Sequence, residues 1–319
     1  MTPVVLDCDP GHDDAIAILL AAAHPSVELL AISTVAGNQT LPKTTLNARR
    51  VCTLAGITDV PIVSGLARPL AQDPIVAADV HGESGLEGPR FGPPTVPLAS
   101  TDGVGYLRDL LRGRAEPVTV IAVGPLTNIA ALLLAAPDVA DRIAEIVIMG
   151  GSTERGNSTP YAEFNIYADP EAAAVVLRSG VPVTMCGLNV THRALADERV
   201  LGRITAIGGP LVTACVELLS FFAATYRELY GFPAPPVHDP VAVARVIDPD
   251  IVGCVRTRVD VELAGEHTRG ATAVDLHART GREPNALVAT DLDTSRFWNL
   301  VVDAIAKLSA PGRLGATAS

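Results

Sequence analysis

Four carboxylates stand close together near the start of the chain, in the run Asp7-Cys8-Asp9-Pro10-Gly11-His12-Asp13-Asp14. Apolar stretches precede and follow this run, which predicts a strand, a loop and the start of a helix. Carboxylates packed this closely repel one another, and in a buried turn each needs a proton or a cation to offset the cost of leaving water. Oxygen ligands without a Cys or His pattern around them favour calcium or magnesium over zinc or copper.

The two pairs of acids in this run differ in whether a structural role can explain them without a ligand. Asp13 and Asp14 fall in the first turn of the predicted helix, where acidic residues also stabilise free backbone amides, so capping is an alternative for them. Asp7 and Asp9 follow a strand, which is where open α/β sheets bind their ligands. Cys8 alternates with these two acids and is expected to point into the core. Together the four acids favour a ligand site.

Length and composition restrict the class of protein. The 319 residues are 48% apolar and 18% charged, which is enough to bury a large α/β core. We predict one domain over residues 1–308 and a disordered tail over residues 309–319. The chain carries 24 basic and 35 acidic residues, a net charge of −11, and has no basic run. A nucleic-acid polymer is therefore not expected as a partner.

Cysteine usage and the N-terminus bear on location. The five cysteines form no CxxC pair, which is typical of reduced, buried thiols in a cytoplasmic protein. The N-terminus shows no export signal. The apolar stretch 211–226 is interrupted by Glu217, so a buried or subunit-contact helix is expected there rather than a membrane span.

Short β-branched runs alternate with Ala/Leu-rich stretches along most of the chain. Strands are predicted at 3–7, 27–35, 61–64, 118–123, 144–149 and 182–186, with helices at 13–23, 42–55, 101–112, 126–135 and 169–178. This alternation predicts an α/β fold with a doubly wound, mainly parallel central sheet, a Rossmann-like core with helices on both faces.

The pattern changes after residue 190. Consecutive helices are predicted up to about Tyr230, followed by a short helix from Asp239 and a last helix at 293–308. Between them lie three strand-like runs near 251–263, 269–277 and 285–290 without intervening helices. These runs are expected to add C-terminal strands in an antiparallel or mixed arrangement.

Unusual polar residues follow several predicted strands at the point where each strand ends. Asn38 follows the second strand, Val123-Gly124-Pro125 the strand at 118 and Met149-Gly150-Gly151 the strand at 144. Because the carboxyl ends of parallel strands meet at one edge of a sheet, these residues can share a pocket with Asp7 and Asp9.

The loop at 151–168 adds Asn157, Glu163 and Asn165, and a loop of that length is normally functional or disordered. Simpler structural roles are open to some neighbours, since Asn38 can shape a turn and Thr127-Asn128 can cap a helix. We assign Asp169, which precedes a proline, to capping.

A last candidate is His238-Asp239-Pro240, after a turn-rich segment. Asp239 can serve as the N-cap of the next helix, but the adjacent imidazole of His238 is also a plausible proton donor near neutral pH. Tyr226 and Tyr230 are four residues apart and share a helix face, so they can line a pocket or simply pack.

These motifs together resemble the inosine-uridine preferring nucleoside hydrolase family. The resemblance runs in the family's order from residue 4 to about 305, through D-C-D-P-G-H-D-D at 7–14, V-G-P-L-T-N at 123–128, M-G-G at 149–151, E-F-N-I-Y-A-D-P-E-A-A at 163–173, H-D-P at 238–240 and T-R-G at 268–270. The first motif is specific, whereas G-P-L-T-N or H-D-P alone is weak.

The resemblance implies an N-ribosyl hydrolase that splits ribonucleosides into ribose and free base. It implies Ca²⁺ bound by the side chains of Asp9, Asp14 and Asp239 and by the carbonyl of Val123, with Asp9 also as the general base for a metal-bound water. Ribose hydroxyls would be held by Asp13, Asn38, Asn157, Glu163, Asn165 and Asp239. His238 would protonate or contact the leaving base, His81 would lie on a base-side loop, and we add Met149, Tyr226 and Tyr230 to the substrate pocket.

The chemistry of this bond cleavage agrees with the residues. Breaking an N-glycosidic bond develops positive charge on the ribose, in an oxocarbenium-like transition state, and negative charge on the base. Acids near the sugar and an acid-base group such as His238 near the base meet both needs. The resemblance further implies a small-molecule ribonucleoside as the partner, no membrane, and a homodimer or homotetramer; the choice between purine and pyrimidine stays open.

Two other functions compete with this one. A phosphatase of the haloacid-dehalogenase type also begins with a strand and D-x-D, which would make Asp7 the nucleophile and Asp9 the acid. Against it, Gly11 occupies the usual Thr or Val position. A non-catalytic pentose- or nucleoside-binding protein is the second alternative, and the complete set of base, metal ligands and acid argues against it.

Overall fold

The computed structural model describes residues 1–310. Its strands are β1 (Thr2–Cys8), β2 (Val27–Thr34), β3 (Ile62–Ser64), β4 (Leu98–Ser100), β5 (Val118–Ala122), β6 (Ile143–Met149), β7 (Val183–Cys186), β8 (Val252–Thr257), β9 (Val259–Val261), β10 (Thr272–Val274) and β11 (Ala286–Leu292). Its helices are α1 (His12–Ala23), α2 (Leu41–Leu54), α3 (Ala78–His81), α4 (Gly103–Gly113), α5 (Thr127–Ala135), α6 (Phe164–Ala168), α7 (Pro170–Arg178), α8 (Leu188–Thr191), α9 (Glu198–Thr205), α10 (Pro210–Tyr230), α11 (Asp239–Ile247) and α12 (Thr294–Ser309). Short 3-10 turns lie at Pro137–Arg142 and Pro249–Ile251.

A nine-stranded sheet forms the centre of the described chain, in the order β4-β3-β2-β1-β5-β6-β7-β11-β8. Neighbouring strands run parallel except β8, which pairs antiparallel with β11 at one edge. All five residues of β5 are buried, because helices cover both faces of the sheet. The predicted doubly wound, mainly parallel α/β fold is confirmed.

Two apolar layers hold the helices against the sheet. On one face α1, α11 and α12 pack around Ile18, Val241 and Phe297. On the other face α4, α5 and α7 pack around Leu107 and Ile129. Helix α1 is buried along almost its whole length, which fixes the direction in which its first turn points.

The C-terminal strands differ in part from the prediction. The run expected at 251–263 divides into β8, which joins the large sheet, and β9, which pairs with β10 in a separate two-stranded antiparallel sheet. β11 pairs in parallel with β7, so the addition is mixed. The interval 66–100, predicted without elements, contains α3 and β4. Both are short and lack a periodic apolar pattern that a sequence could reveal.

Three further expectations concern the C-terminal tail, the cysteines and a membrane span. Ser309 belongs to α12, so the predicted tail begins inside a helix, and the rest of it, residues 311–319, lies outside the described residues. Cys8 is buried in the core as predicted, but Cys254 is exposed on the edge strand β8, so the expectation of buried thiols is wrong there. Among residues 1–310, none of the helices combines the length and hydropathy needed to cross a bilayer.

Candidate active site

The carboxyl ends of the central strands open into one pocket. Twelve predicted residues line it: Asp13, Asn38, His81, Val123, Met149, Asn157, Glu163, Asn165, Tyr226, Tyr230, His238 and Asp239. These residues lie on segments that are far apart in the sequence, from Asp13 near the start of the chain to Asp239. Such convergence follows from the parallel sheet, since strand ends and the loops after them meet at the same edge.

A cluster of acids forms the floor of this pocket. Asp13 and Asp14 lie in the first turn of α1 and Asp239 is the first residue of α11, so the packing of these two helices brings the acids together. One carboxylate oxygen from each lies within 4.8 Å of the others. The N-cap of α11 is His238, so the alternative that Asp239 is an N-cap is wrong.

Asp9 lies beside Asp14, and of these clustered acids Asp13 and Asp239 line the pocket whereas Asp9 and Asp14 do not. Asp14 accepts hydrogen bonds from the backbone N–H groups of Asp9 (3.0 Å) and Gly11 (2.9 Å) and from the Asn38 amide (3.0 Å). It therefore caps α1 and also belongs to the cluster. One oxygen of Asp9 accepts from the backbone N–H of Asn38 at 2.6 Å, and its Oδ1 is buried without a hydrogen-bond partner among the described residues.

Glycines allow the loops to close over Asp9. A methyl group on Gly124 would lie 2.6 Å from Oδ1 of Asp9, and one on Gly37 would lie 2.1 Å from Oδ2. Neither approach leaves room for a side chain. The V-G-P and A-G-N turns thus enclose this carboxylate.

Burial and mutual repulsion shift the ionisation of the cluster. Loss of hydration, followed by the charge of neighbouring acids, raises the pKa of Asp9 and of Asp239 well above the ordinary value and that of Asp13 to about 7. A cation among these oxygens would remove both costs. The unpartnered Oδ1 of Asp9 and the all-oxygen donor set fit a hard divalent ion such as calcium or magnesium.

Asp7 does not reach this cluster's pocket. Its Oδ1 accepts from the Asn128 amide at 2.8 Å, and its Oδ2 is buried without a partner in the described chain. Burial raises the pKa of Asp7 to about 7. Asn128 also accepts from the backbone N–H of Leu66, so it joins β1 and the loop after β3 to the first turn of α5 rather than capping that helix. The grouping of four acids in one site is therefore wrong for Asp7.

The opposite wall comes from the loop after β6. The Asn165 amide donates to the carbonyls of Val123 (2.7 Å) and Met149 (3.1 Å). Glu163 caps α6, accepting from the backbone N–H groups of Asn165 and Gly151, both at 2.9 Å, and burial raises the pKa of Glu163 to about 7. These bonds hold carbonyl and carboxyl oxygens at the pocket surface.

Two other residues of this region have structural contacts. Asn157 accepts from the backbone N–H of Phe164 at 2.9 Å while lining the pocket. Asp169 caps α7 by accepting from the backbone N–H of Ala172 at 3.0 Å, as predicted. It also accepts from the Thr127 hydroxyl at 2.7 Å, a tertiary contact that the capping pattern did not indicate.

His238 is held between two hydroxyl groups. Its Nδ1 lies 2.8 Å from the Thr191 hydroxyl and its Nε2 lies 2.8 Å from the Tyr226 hydroxyl. Burial lowers the pKa of His238 well below its ordinary value, so the neutral imidazole is favoured at pH 7. Sequence reasoning missed Thr191, because one threonine at the end of a short helix carries no signal.

Two further histidines, His12 and His81, contact each other near the acidic cluster. His81 lines the pocket from α3, and its Nδ1 lies 3.1 Å from Nδ1 of His12. The other nitrogen of His12 contacts the carbonyl of Glu87 at 2.9 Å, and its ring stacks on Phe222. His12 stands inside the acidic motif of the sequence, but its partner could only be identified in three dimensions.

Comparison with known proteins gives the family. Residues 4–299 match the inosine-uridine preferring nucleoside hydrolase family. The chain is 47% identical over 302 residues to the pyrimidine-specific ribonucleoside hydrolase RihA of Escherichia coli (strain K12), covering 94% of this chain and 97% of the relative, and the same values hold for RihA of Shigella flexneri.

Solved structures agree with this match. The purine-preferring ribonucleoside hydrolase from Gardnerella vaginalis superposes with a TM-score of 0.90 at 30% identity, covering 97% of this chain and 99% of that one. An inosine-guanosine nucleoside hydrolase gives a TM-score of 0.87 at 29% identity, covering 96% and 99%. The predicted enzyme class is confirmed, and the chain belongs to the inosine-uridine preferring nucleoside hydrolase family.

Proposed function

We propose that this protein hydrolyses the N-glycosidic bond of ribonucleosides, giving ribose and the free base, in a calcium-dependent reaction. One observation carries the proposal. Acids from the first helix and from a helix more than two hundred residues later lie within 4.8 Å of one another, and His238 lies beside them on the wall of the same pocket. A single ribonucleoside bound in this pocket can therefore contact the anionic groups and the His238 side chain at the same time.

The acidic end of the pocket is suited to the sugar. Ribose presents hydroxyl donors, and the carboxylates of Asp13 and Asp239 with the oxygens of Glu163, Asn165 and Asn38 offer acceptors around them. As the bond to the base breaks, positive charge grows on the ring. Fixed anionic groups in a buried site stabilise that charge more than water does, because they need no reorganisation.

Calcium is the cofactor that we propose for this floor. Asp9, Asp14, Asp239 and the Val123 carbonyl would hold it, with Asp13 close enough to share the site. When bound, a calcium ion supplies a Lewis acid that favours deprotonation of water and accepts sugar hydroxyls. The Oδ1 atom of Asp9, which has no donor in the described chain, is the group that we assign as general base.

The other end of the pocket is suited to the base. Phe222, Tyr226 and Tyr230 project from one helix, and Ile75 and Val76 also line the pocket. Apolar and aromatic surfaces of this kind can pack against a nucleobase. This assigns the acidic floor to ribose and the apolar end to the base.

A proton for the departing base is available at this end. The Tyr226 hydroxyl and Nε2 of His238 share a hydrogen bond, and both residues line the pocket. Since burial favours the neutral imidazole, we assign the transferable proton to the Tyr226–His238 pair rather than to a free imidazolium.

We also propose a preference for pyrimidine nucleosides. The support is the 47% identity to relatives named pyrimidine-specific, against 30% to the purine-preferring structure. A homodimer or homotetramer and a cytoplasmic location stay predictions.

The test is a panel of uridine, cytidine, inosine and adenosine, assayed for ribose release with the calcium content of the protein measured. We expect release of ribose, faster with uridine and cytidine, and its loss on chelation. A protein that binds nucleosides without releasing ribose, or that releases phosphate from phosphomonoesters instead, would overturn the proposal. Turnover that survives complete removal of calcium would overturn only the proposal that the reaction depends on calcium.

A further inference from the structure

The T-R-G segment at 268–270 lies outside the pocket but packs against its wall. It forms the turn between β9 and β10, where Gly270 has a φ of +81°. A Cβ atom at Gly270 would lie 2.9 Å from the Cα atom of Tyr167, which lines the pocket. Glycine is needed here for both the conformation and the close approach. The turn therefore packs directly against Tyr167, a residue that lines the pocket.

Arg269 within this turn joins three separate parts of the chain. Its Nη2 donates to Glu171 on α7 at 2.8 Å and to the side-chain oxygen of Gln72 at 2.9 Å. Its Nη1 donates to the carbonyl of Leu263 at the end of the hairpin. Both side chains of the Arg269–Glu171 ion pair are half-buried, so the pair is partly shielded from solvent. Charge-assisted hydrogen bonds from a planar, forked guanidinium group fix the direction of the bonded groups as well as their distance.

Gln72 carries this connection to the pocket. Its amide donates to the carbonyls of Tyr167 at 2.8 Å and Ala168 at 2.9 Å, and its oxygen accepts from Arg269. Two residues earlier, the backbone N–H of Leu70 donates to Asp169 at 2.9 Å. The segment 70–76, which we name the wall segment, is thus attached at its start by side-chain bonds to α6, α7 and the hairpin.

The far end of the wall segment forms the pocket mouth. Ile75 and Val76 line the pocket, yet they are 36% and 40% exposed. Large apolar side chains exposed beside an apolar cavity can be covered by a ligand. The next residue, Ala77, is buried, and its N–H donates to the Asn38 carbonyl at 3.2 Å. Between residues 72 and 77 the segment contains no helix or strand.

We propose that Arg269 is a positioning residue that, through Gln72, holds Ile75 and Val76 in place over the base end of the pocket. The assignment of that end to the base rests on the proposed function. A wall that is already ordered loses less conformational entropy when a base docks against it. Arg269 touches neither the acidic floor nor His238. Its loss should therefore weaken binding of the base and leave the chemical step almost unchanged.

Hydrogen exchange of the full chain without substrate tests the physical connection directly. In Arg269→Met we expect the amides of Leu70 and Ala77, which donate hydrogen bonds at the two ends of this stretch, to exchange at least about tenfold faster than in the wild type, while the core strands β1 and β5 keep their protection. Arg282→Met, which removes the same charge from an exposed side chain bonded to Asp260, is the matched control. Unchanged exchange at Leu70 and Ala77 in Arg269→Met would overturn the proposal, whether or not the protein proves to be a nucleosidase.

Steady-state kinetics with uridine then test the effect on the base end. We expect Arg269→Met to raise KM about tenfold with kcat within about twofold, and Arg282→Met to change neither. Competitive inhibition by ribose, which lacks a base, should be unchanged in Arg269→Met. An equal loss of ribose binding, or a fall in kcat with constant KM, would contradict the assignment to the base end.

A double-mutant cycle tests the route through Gln72. If Arg269 acts through this residue, Arg269→Met should raise KM by less than about twofold in a Gln72→Leu background. A tenfold rise in both backgrounds would overturn the route. Arg269→Lys provides a second variant that keeps the charge beside Glu171, and we expect it to raise KM in the same direction because an ammonium cannot reproduce the fork. If Arg269→Lys keeps the hydrogen exchange and the KM of the wild type, the guanidinium geometry of Arg269 is not what holds the wall segment.

Discussion

The Tyr226 hydroxyl lies 2.8 Å from Nε2 of His238, so the two residues form one hydrogen-bonded pair facing the apolar end of the pocket. Thr191 holds the other ring nitrogen of His238 at 2.8 Å. The ring is therefore held on both sides, and a proton that leaves its Nε2 side would pass to or past the Tyr226 hydroxyl.

We predict that Tyr226→Phe lowers kcat on uridine about 100-fold, because the base loses its proton donor in the transition state. The loss should be much smaller with p-nitrophenyl riboside, whose leaving group needs no proton. Both values come from initial rates at saturating substrate. His238→Ala should show the same difference between the two substrates.

Tyr106→Phe is the control, since Tyr106 lies on α4 away from the pocket. Equal losses on uridine and on p-nitrophenyl riboside in Tyr226→Phe would remove the acid role and leave only a packing role for the phenol.

Asp9→Asn should fold and lose turnover by at least about 100-fold on every nucleoside, since the amide cannot take up a proton. Removing one charge from a buried acidic cluster should also raise the melting temperature of the metal-free protein. Turnover and thermal unfolding with a chelator present provide the two measurements.

Asp59→Asn, a change at an exposed acid, is the matched control and should alter neither quantity. Wild-type turnover in Asp9→Asn would eliminate Asp9 as the general base.

If calcium is the cofactor, as we propose, it should stabilise the folded chain, because the acidic cluster that would bind it exists only when the two helices are packed together. We expect about 2.7 kcal/mol of stabilisation at a concentration 100 times its Kd, and less with magnesium. Thermal unfolding across a calcium titration measures this shift. A melting temperature independent of calcium from micromolar to millimolar concentrations would argue against a metal at this floor.

Asp7 should make stability depend on pH. Burial raises the pKa of Asp7 to about 7, from an ordinary value of 3.8. The folded protein therefore holds a proton that the unfolded chain releases, and this contribution is present below pH 3.8 and lost as the pH rises towards 7. Asp7→Asn should remove this dependence and gain roughly 2–4 kcal/mol relative to the wild type at pH 8.

Urea unfolding at pH 5 and pH 8 of both proteins gives the difference that belongs to Asp7. The substitution keeps the oxygen that accepts from Asn128. A constant difference between the variant and the wild type at the two pH values would show that Asp7 is ionised in the folded protein.

The sequence by itself determined the alternating α/β core, the end of the sheet that carries the site, and the identity of most pocket residues. Strand and helix periods are local, and acids placed after apolar runs are recognisable within a few residues, whereas His81 and the roles of the pocket residues came from the family resemblance. The short elements α3 and β4 escaped prediction since four or fewer residues show no period.

Only the tertiary structure decided which of these side chains face one another. The sequence grouped Asp7 with Asp9, which strand alternation places on the same side, but Asp7 lies inside β1 and pairs with the Asn128 amide, whereas Asp9 follows the strand and lies beside Asp14. The contacts of His238 with Thr191 and of Arg269 with Gln72 join residues that are 47 and 197 positions apart. Such contacts depend on how loops return across the sheet edge, and no local pattern in the chain records that geometry.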